Sequence, residues 1–212
     1  MSSAGDVGDR TATPDDCLRA IGIKGFAQTQ AVADAVLSTT EAVQPILDQL
    51  QVEGLTGIVA GGHRLTDAGT SRVAELLVAE QTRWGTDAAG AALDAFVALD
   101  HRVKDAVTAW QLRDGIPNDH TDAAYDASVL DRLAAIHADA LAWLAPSEAG
   151  CPRLAFYDIR LGRALAGAQG GDGRYVASPR VDSYHGIWFE LHEDLIQLAG
   201  RTRADEVAAG RA

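Results

Sequence analysis

The residue types best suited to chemistry crowd into the second half of the chain. Four runs carry them: Trp110 to Arg113; Asn118 to Asp122 with Tyr125 and Asp126; Arg153 to Tyr157 with Arg160; and Asp182 to Asp194. Polar aromatics join a large apolar face to a directed hydrogen bond, while imidazole, guanidinium and carboxylate groups orient a ligand. Trp110, Arg113, His120, Tyr125, Tyr157, Arg160, Tyr184, His185, Trp188, Glu190 and His192 are therefore the candidate lining of a small-molecule pocket. The plainer reading makes Tyr184 and Trp188 core residues on an apolar helical stripe, with His185 a hydrogen-bonded histidine beside them.

Metal chemistry is not expected. His192-Glu193-Asp194-Leu195-Ile196 starts like HExxH, but Ile196 stands where the second histidine belongs. His185 and His192 are seven positions apart, roughly 10 Å along a helix, too far for one ion. Glu190 with Glu193 or Asp194 would need partners such as Asp122 and Asp126 from another helix; the simpler outcome is pairing with Arg153, Arg160 or Arg163 across a bundle. Cys17 and Cys151 match no metal spacing. No Ser/His/Asp or Cys/His arrangement stands out. The four glycines of Gly167–Gly173 lack the GxGxxG pattern after a strand, so no phosphate cradle and no cofactor are expected.

The elements that position these residues are helices. Leu93, Phe96, Val97, Val103, Val107 and Trp110 mark one from about Thr86. Val129, Leu130, Leu133, Ile136 and Leu141 mark another from about Thr121, which Pro146 and Gly150-Cys151-Pro152 should end. Arg153–Ala168 reads as a third. Tyr184, Trp188, Leu191, Leu195 and Leu198 step by four, three, four and three, one face of a helix over about Asp182–Leu198. Gly200 caps it and Thr202 opens a short tail helix.

The first third has another pattern. A helix over about Asp15–Lys24 and a second capped by Thr29 lead through Ser38-Thr39-Thr40 into a third carrying Val43, Ile46, Leu47 and Leu50. Pro45 places the start of that third helix nearer Val43, where a first-turn proline is tolerated. Gly54 suits the helix end. Apolar runs Leu55–Ala60 and Arg64–Leu65 flank Gly61-Gly62, a hairpin turn; Thr66 or Asp67 then caps a helix running to about Trp84. This is the order of a winged helix-turn-helix. If it reads DNA, Thr39, Thr40, Gln44 and Gln49 are its phosphate and base donors, with His63 and Arg64 on the wing. Against that, the reading helix carries Glu41, Asp48 and Glu53 and no Lys or Arg.

The net charge of −12 also lowers the expectation of nucleic acid or anionic membrane as a partner. No apolar run of about 18 residues occurs, so no membrane span is expected. The N-terminal stretch lacks a basic and an apolar region and reads as a polar, flexible tail, not a signal peptide. Two distant cysteines fit a reducing, cytoplasmic setting. Arginine outnumbers lysine heavily, with only Lys24 and Lys104 present, and alanine is abundant, which points to GC-rich bacterial coding.

Residues 18–80 resemble the winged-helix segment of MarR-type bacterial regulators, through "LDQL-VEGL" and "HRLTDAGTSRVAELL" with its LTxxG element. Residues 96–212 resemble a helical family from high-GC bacteria through "TAWQLR", "NDHTDAAYD" and "SYHGIWFELHEDLI", members of which are regulators or proteins linked to pyruvate phosphate dikinase. Nothing here resembles a dikinase active site. The resemblance implies a mainly α fold: a tail over 1–14, a winged helix-turn-helix domain over 15–84 with a small β-hairpin, and a helical ligand-binding and dimerisation bundle over 85–212. It implies a ligand-responsive transcriptional regulator, a homodimer with promoter DNA and a small molecule as partners. The alternative is a small-molecule enzyme or binding protein whose winged helix is a structural or partner-binding module without DNA affinity. MarR-type chains do not carry well over 100 residues after the wing, so their usual ligand cleft and dimer contacts do not transfer.

Overall fold

The computed structural model describes residues 11–210. The protein is mainly helical, with two small antiparallel hairpins. It divides into two compact units, and the division falls inside a helix, after Leu76, not at its end near residue 84. Among the described residues no helix is long and apolar enough to cross a membrane.

In the first unit, helix α1 spans Pro14–Lys24. Thr13 and Asp16 form a reciprocal capping box, and Pro14 opens the first turn, where its missing N–H costs nothing. Most of the tail expected over 1–14 lies outside the described residues, but Ala12 is buried and Thr13 is the cap, so its last residues belong to the fold. Helix α2 (Thr29–Ala35) follows, then α3 (Thr40–Val52). α3 starts at Thr40, not near Val43, because the Thr39 hydroxyl accepts from Ala42 N at 3.3 Å. Pro45 therefore sits in the helix interior, on its exposed side, and one main-chain hydrogen bond is forgone. Cys17, Leu18, Ile21, Val32, Val36, Val43, Leu47 and Leu50 form the core.

Strands β1 (Thr56–Val59) and β2 (Gly62–Leu65) pair antiparallel. Their turn is Ala60-Gly61, one residue earlier than Gly61-Gly62. Both turn residues have positive φ, 48° and 78°, as a type I′ hairpin requires. Gly62 is instead a strand residue, kept bare by Phe26: a Cβ there would meet the Phe26 ring at 2.4 Å. Ala27 adds a one-residue bridge, exchanging main-chain hydrogen bonds with His63 at 3.1 and 2.7 Å. Helix α4 (Asp67–Trp84) then begins; the Thr66 hydroxyl accepts from Gly69 N and donates to Gly54 O.

In the second unit, α5 (Thr86–Gln111), α6 (Ala123–Gly150), α7 (Ala155–Gln169) and α9 (Tyr184–Leu198) surround one apolar core. α5 packs on α6 and α9, and α7 packs on the same two, so each helix has two neighbours around the core. α6 passes through Pro146 and ends only at Gly150, followed by a 3-10 turn over Pro152–Leu154. Two short helices, α8 (Arg174–Ala177) and α10 (Arg203–Ala208), complete the unit. A second strand pair, β3 (Leu112–Arg113) and β4 (Ile116–Pro117), closes a tight hairpin over Asp114-Gly115.

Candidate functional site

Several of the residues proposed for DNA are hydrogen-bonded within their own unit. Thr39 is used as the α3 cap. Gln44 accepts from the Thr29 hydroxyl and donates to Asp48, and Gln49 donates to Glu53. Both amides thus donate to carboxylates of α3 and its C-cap, which keep their charge. Glu41's own backbone N–H, with the Thr39 and Thr40 hydroxyls, holds its carboxyl below the usual range, so the helix start is firmly anionic. His63 is buried, and burial lowers its pKa, so the expected wing contact is a neutral residue turned away from solvent. Among the described cations of this unit, Arg19 is buried and Arg72 is held between Asp15 and Glu75, both at 3.1 Å. Arg64 stands exposed on β2.

The candidate pocket residues of the second unit separate into three groups. Trp110, Arg113, His120 and Tyr125 meet where α5 ends and α6 begins. The His120 ring lies 4.6 Å from Trp110 and its Nδ1 is 2.9 Å from Asp126 Oδ2. The Asn118 amide donates to Asp126 Oδ1 and to the Trp110 carbonyl. Arg113 binds Asp122 at 2.9 Å and lies over the Tyr125 ring, whose hydroxyl donates to the Ala109 carbonyl. His120 holds a φ of +57°, unusual for a residue with a side chain, and this network fixes it there.

Tyr157, Arg160 and Glu190 form the second group, between α7 and α9. Arg160, buried, is gripped by Asp182 at 2.9 and 2.6 Å and by Glu190 at 2.8 Å. Beside it, Arg153 links Glu80 of α4 to Asp194 of α9, and the Tyr157 hydroxyl donates to Asp194 at 2.9 Å. Burial is the largest influence on Tyr157 and raises its pKa well above the ordinary value; Asp194 adds to it.

The third group, Tyr184, Trp188 and His192, faces the core. Trp188 stacks on Phe96 at 4.6 Å and its indole N–H donates to Asp100 at 3.0 Å. Asp100 is also paired with Lys104 at 2.8 Å. The Tyr184 hydroxyl approaches His137 at 3.4 Å. His185 is only partly buried and lies edge-on to exposed Phe189 at 6.2 Å. These three residues are therefore architecture: rings filling the bundle, each polar tip given a partner or buried.

Asp194 with Arg153 and Glu190 with Arg160 are pairings that the sequence reading expects, whereas Asp100, Glu80 and Asp182 are anchors it does not name. Asp100 left a legible trace: it falls on the stripe Leu93, Phe96, Asp100, Val103, Val107, where a lone carboxylate among buried positions needs a partner. Glu80 and Asp182 left none, because their partners come from distant segments. Among the described residues no three His, Cys, Asp or Glu side chains are grouped to hold a metal. An open cleft of about 320 Å³ lies elsewhere, over the start of α5, lined by Thr86, Asp87, Gly90, Ala91, Asp94, Ala199 and Arg201. Arg201 is already bound there by Asp94 at 2.6 Å.

His192 has a measurable consequence. It is 2% exposed and its Nε2 has no hydrogen-bond partner. Burial lowers its pKa below 6.5, as it does for His137 and His185. The folded state thus favours neutral imidazole, while the unfolded chain takes up protons near pH 6.5. Stability is complete above that pH and falls as pH drops below it, by at most about 1.4 kcal/mol per pH unit for each such group. Urea unfolding at pH 7.5 and 5.5 should show this loss, and His192→Phe should reduce it. An unchanged loss in the variant would show that His192 charges without cost.

No protein-family model matches the chain, and neither curated proteins nor solved structures give a match.

Proposed function

We propose that this chain is a winged-helix protein whose N-terminal unit docks a protein partner and does not read DNA. The order α1, bridge at Ala27, α2, α3, β1–β2 hairpin and α4 supports the winged-helix reading, in keeping with the resemblance to MarR-type regulators. The observation that carries the reading is the charge of α3 and its C-cap: Glu41, Asp48 and Glu53 with no cation, and amides already tied to two of those carboxylates. DNA binding depends on cations that displace counterions, typically at about 6–10 phosphates, and a helix of this charge opposes it. A regulatory role is then exerted through protein contacts.

A second reading, a ligand-responsive DNA-binding dimer, is favoured by exposed Arg64 on the hairpin and the threonines at the head of α3. Fluorescence anisotropy with intergenic and random duplexes at about 50 mM salt decides between them. We expect no saturable binding up to about 10 µM protein, within the range of ordinary non-specific affinity. Submicromolar binding that Arg64→Ala weakens would establish the DNA reading and remove ours.

A further inference from the structure

We infer that the outer stripe of α3 and the adjoining β1–β2 hairpin form a docking surface for a cationic, amphipathic segment of a partner protein. This rests on the partner-docking reading above. Glu41, Pro45, Asp48 and Val52 step along α3 by four, three and four, so they share one face. All four are exposed, and the buried stripe Val43, Leu47 and Leu50 lies on the opposite side. Val52 is 83% exposed, and the hairpin adds Ile58 at 51% and Val59 at 49%. Ile58 pairs with His63 and Val59 with Gly62, so the two side chains leave opposite faces of the hairpin, and the Phe26 ring covers the Gly62 side.

Branched residues suit a strand, and with Val52 they leave exposed apolar side chains on α3 and on the hairpin that a partner can cover. The charge chooses the occupant. A stripe alternating carboxylate and apolar side chains accepts a helix or strand that alternates lysine or arginine with apolar residues. A second copy of this surface would bring the same carboxylates against it, and nucleic acid would bring phosphates; both are repelled.

The probe is a fluorescein-labelled amphipathic peptide of leucine and lysine, with a leucine and glutamate peptide as its counterpart, titrated with the full chain at physiological salt. The lysine peptide should bind saturably and the glutamate peptide should not. Val52→Ser with Ile58→Ser, and separately Glu41→Lys with Asp48→Lys, should each weaken binding about tenfold, as loss of an interface anchor does. Asp105→Lys with Asp131→Lys, an equal charge change at exposed positions of α5 and α6, should alter it less than about twofold. Circular dichroism verifies that the variants fold. Failure of the lysine peptide to bind, or binding that responds to the Asp105 and Asp131 changes as much as to the α3 changes, overturns the assignment. A duplex titration on the same samples separates the two failures. Tight duplex binding removes the docking reading itself, whereas no duplex binding with a peptide indifferent to the Val52 and Ile58 changes removes only this surface.

Discussion

Replacing Arg153 with alanine should destabilise the second unit by about 3–5 kcal/mol, the range for stripping one partner from a buried ion pair. Asp194 is 0% exposed and receives hydrogen bonds from Arg153 and from the Tyr157 hydroxyl. Without the guanidinium it loses the charge-assisted hydrogen bonds that offset its desolvation, and Glu80 loses its ion pair with Arg153 as well. At about 2–4 °C per kcal/mol for a chain of this size, the melting temperature should fall by about 6–20 °C. All four tryptophans, Trp84, Trp110, Trp143 and Trp188, lie after residue 76, so tryptophan fluorescence follows this unit selectively. The double change Arg153→Met with Asp194→Leu should recover part of the loss, because an apolar pair needs no charge compensation, while the bonds to Glu80 and from the Tyr157 hydroxyl stay lost. A single-variant cost under about 1 kcal/mol would mean that water reaches the pair and that it is no more than a surface bridge.

The second large effect is expected at Gly69→Ala. A Cβ on Gly69 would stand 1.9 Å from the Leu55 carbonyl oxygen, which cannot swing away freely because it accepts from Thr66 N at 3.1 Å. Thr66 itself ties Gly54 O to Gly69 N. The glycine of the LTDAG segment is thus the point where the head of α4 touches the base of the hairpin, backbone against backbone. Overpacking ordinarily costs about 1–3 kcal/mol, and this clash should reach or exceed the upper value, since no flexible side chain can yield. Gly57→Ala is the matched comparison: nothing lies within 4 Å of a Cβ there, so a change within about 0.5 kcal/mol is expected. The first unit has no tryptophan, so urea unfolding is read by circular dichroism and by hydrogen exchange at the hairpin amides. Equal effects at the two glycines would refute the close approach.

The two changes act in different units through different physics, and they also mark how far local sequence reaches. The α9 stripe was legible because Tyr184, Trp188, Leu191, Leu195 and Leu198 repeat at the helical period, and all five are buried. Helix spacing is set by the backbone, so a single element declares its own buried face. The β1–β2 hairpin was legible for the same reason, short apolar runs around glycine, but its register was not. The turn moved to Ala60-Gly61 because Gly62 is needed under Phe26, a residue outside the hairpin. Pro45 and Pro146 misled in one direction: each reads as a helix boundary, yet α3 and α6 run through them. Capping by Thr39 and packing by the buried residues of α6 outweigh one missing hydrogen bond each.

The candidate site divides along the same line. By itself the sequence determined the helical character, the hairpin, the apolar faces and the anionic character of α3, all properties of residues near one another in the chain. It also named the chemically capable residues. Only the tertiary structure decided which of them meet. It split one imagined pocket into a hairpin cluster around His120, a buried ion-pair network around Arg153 and Arg160, and a packed face around Trp188. It also turned His63 inward against Ala27. A partner such as Glu80 for Arg153 is 73 residues away. Whether a polar side chain serves a ligand or its own fold depends on who reaches it, and that is settled by packing between helices, which no local spacing encodes.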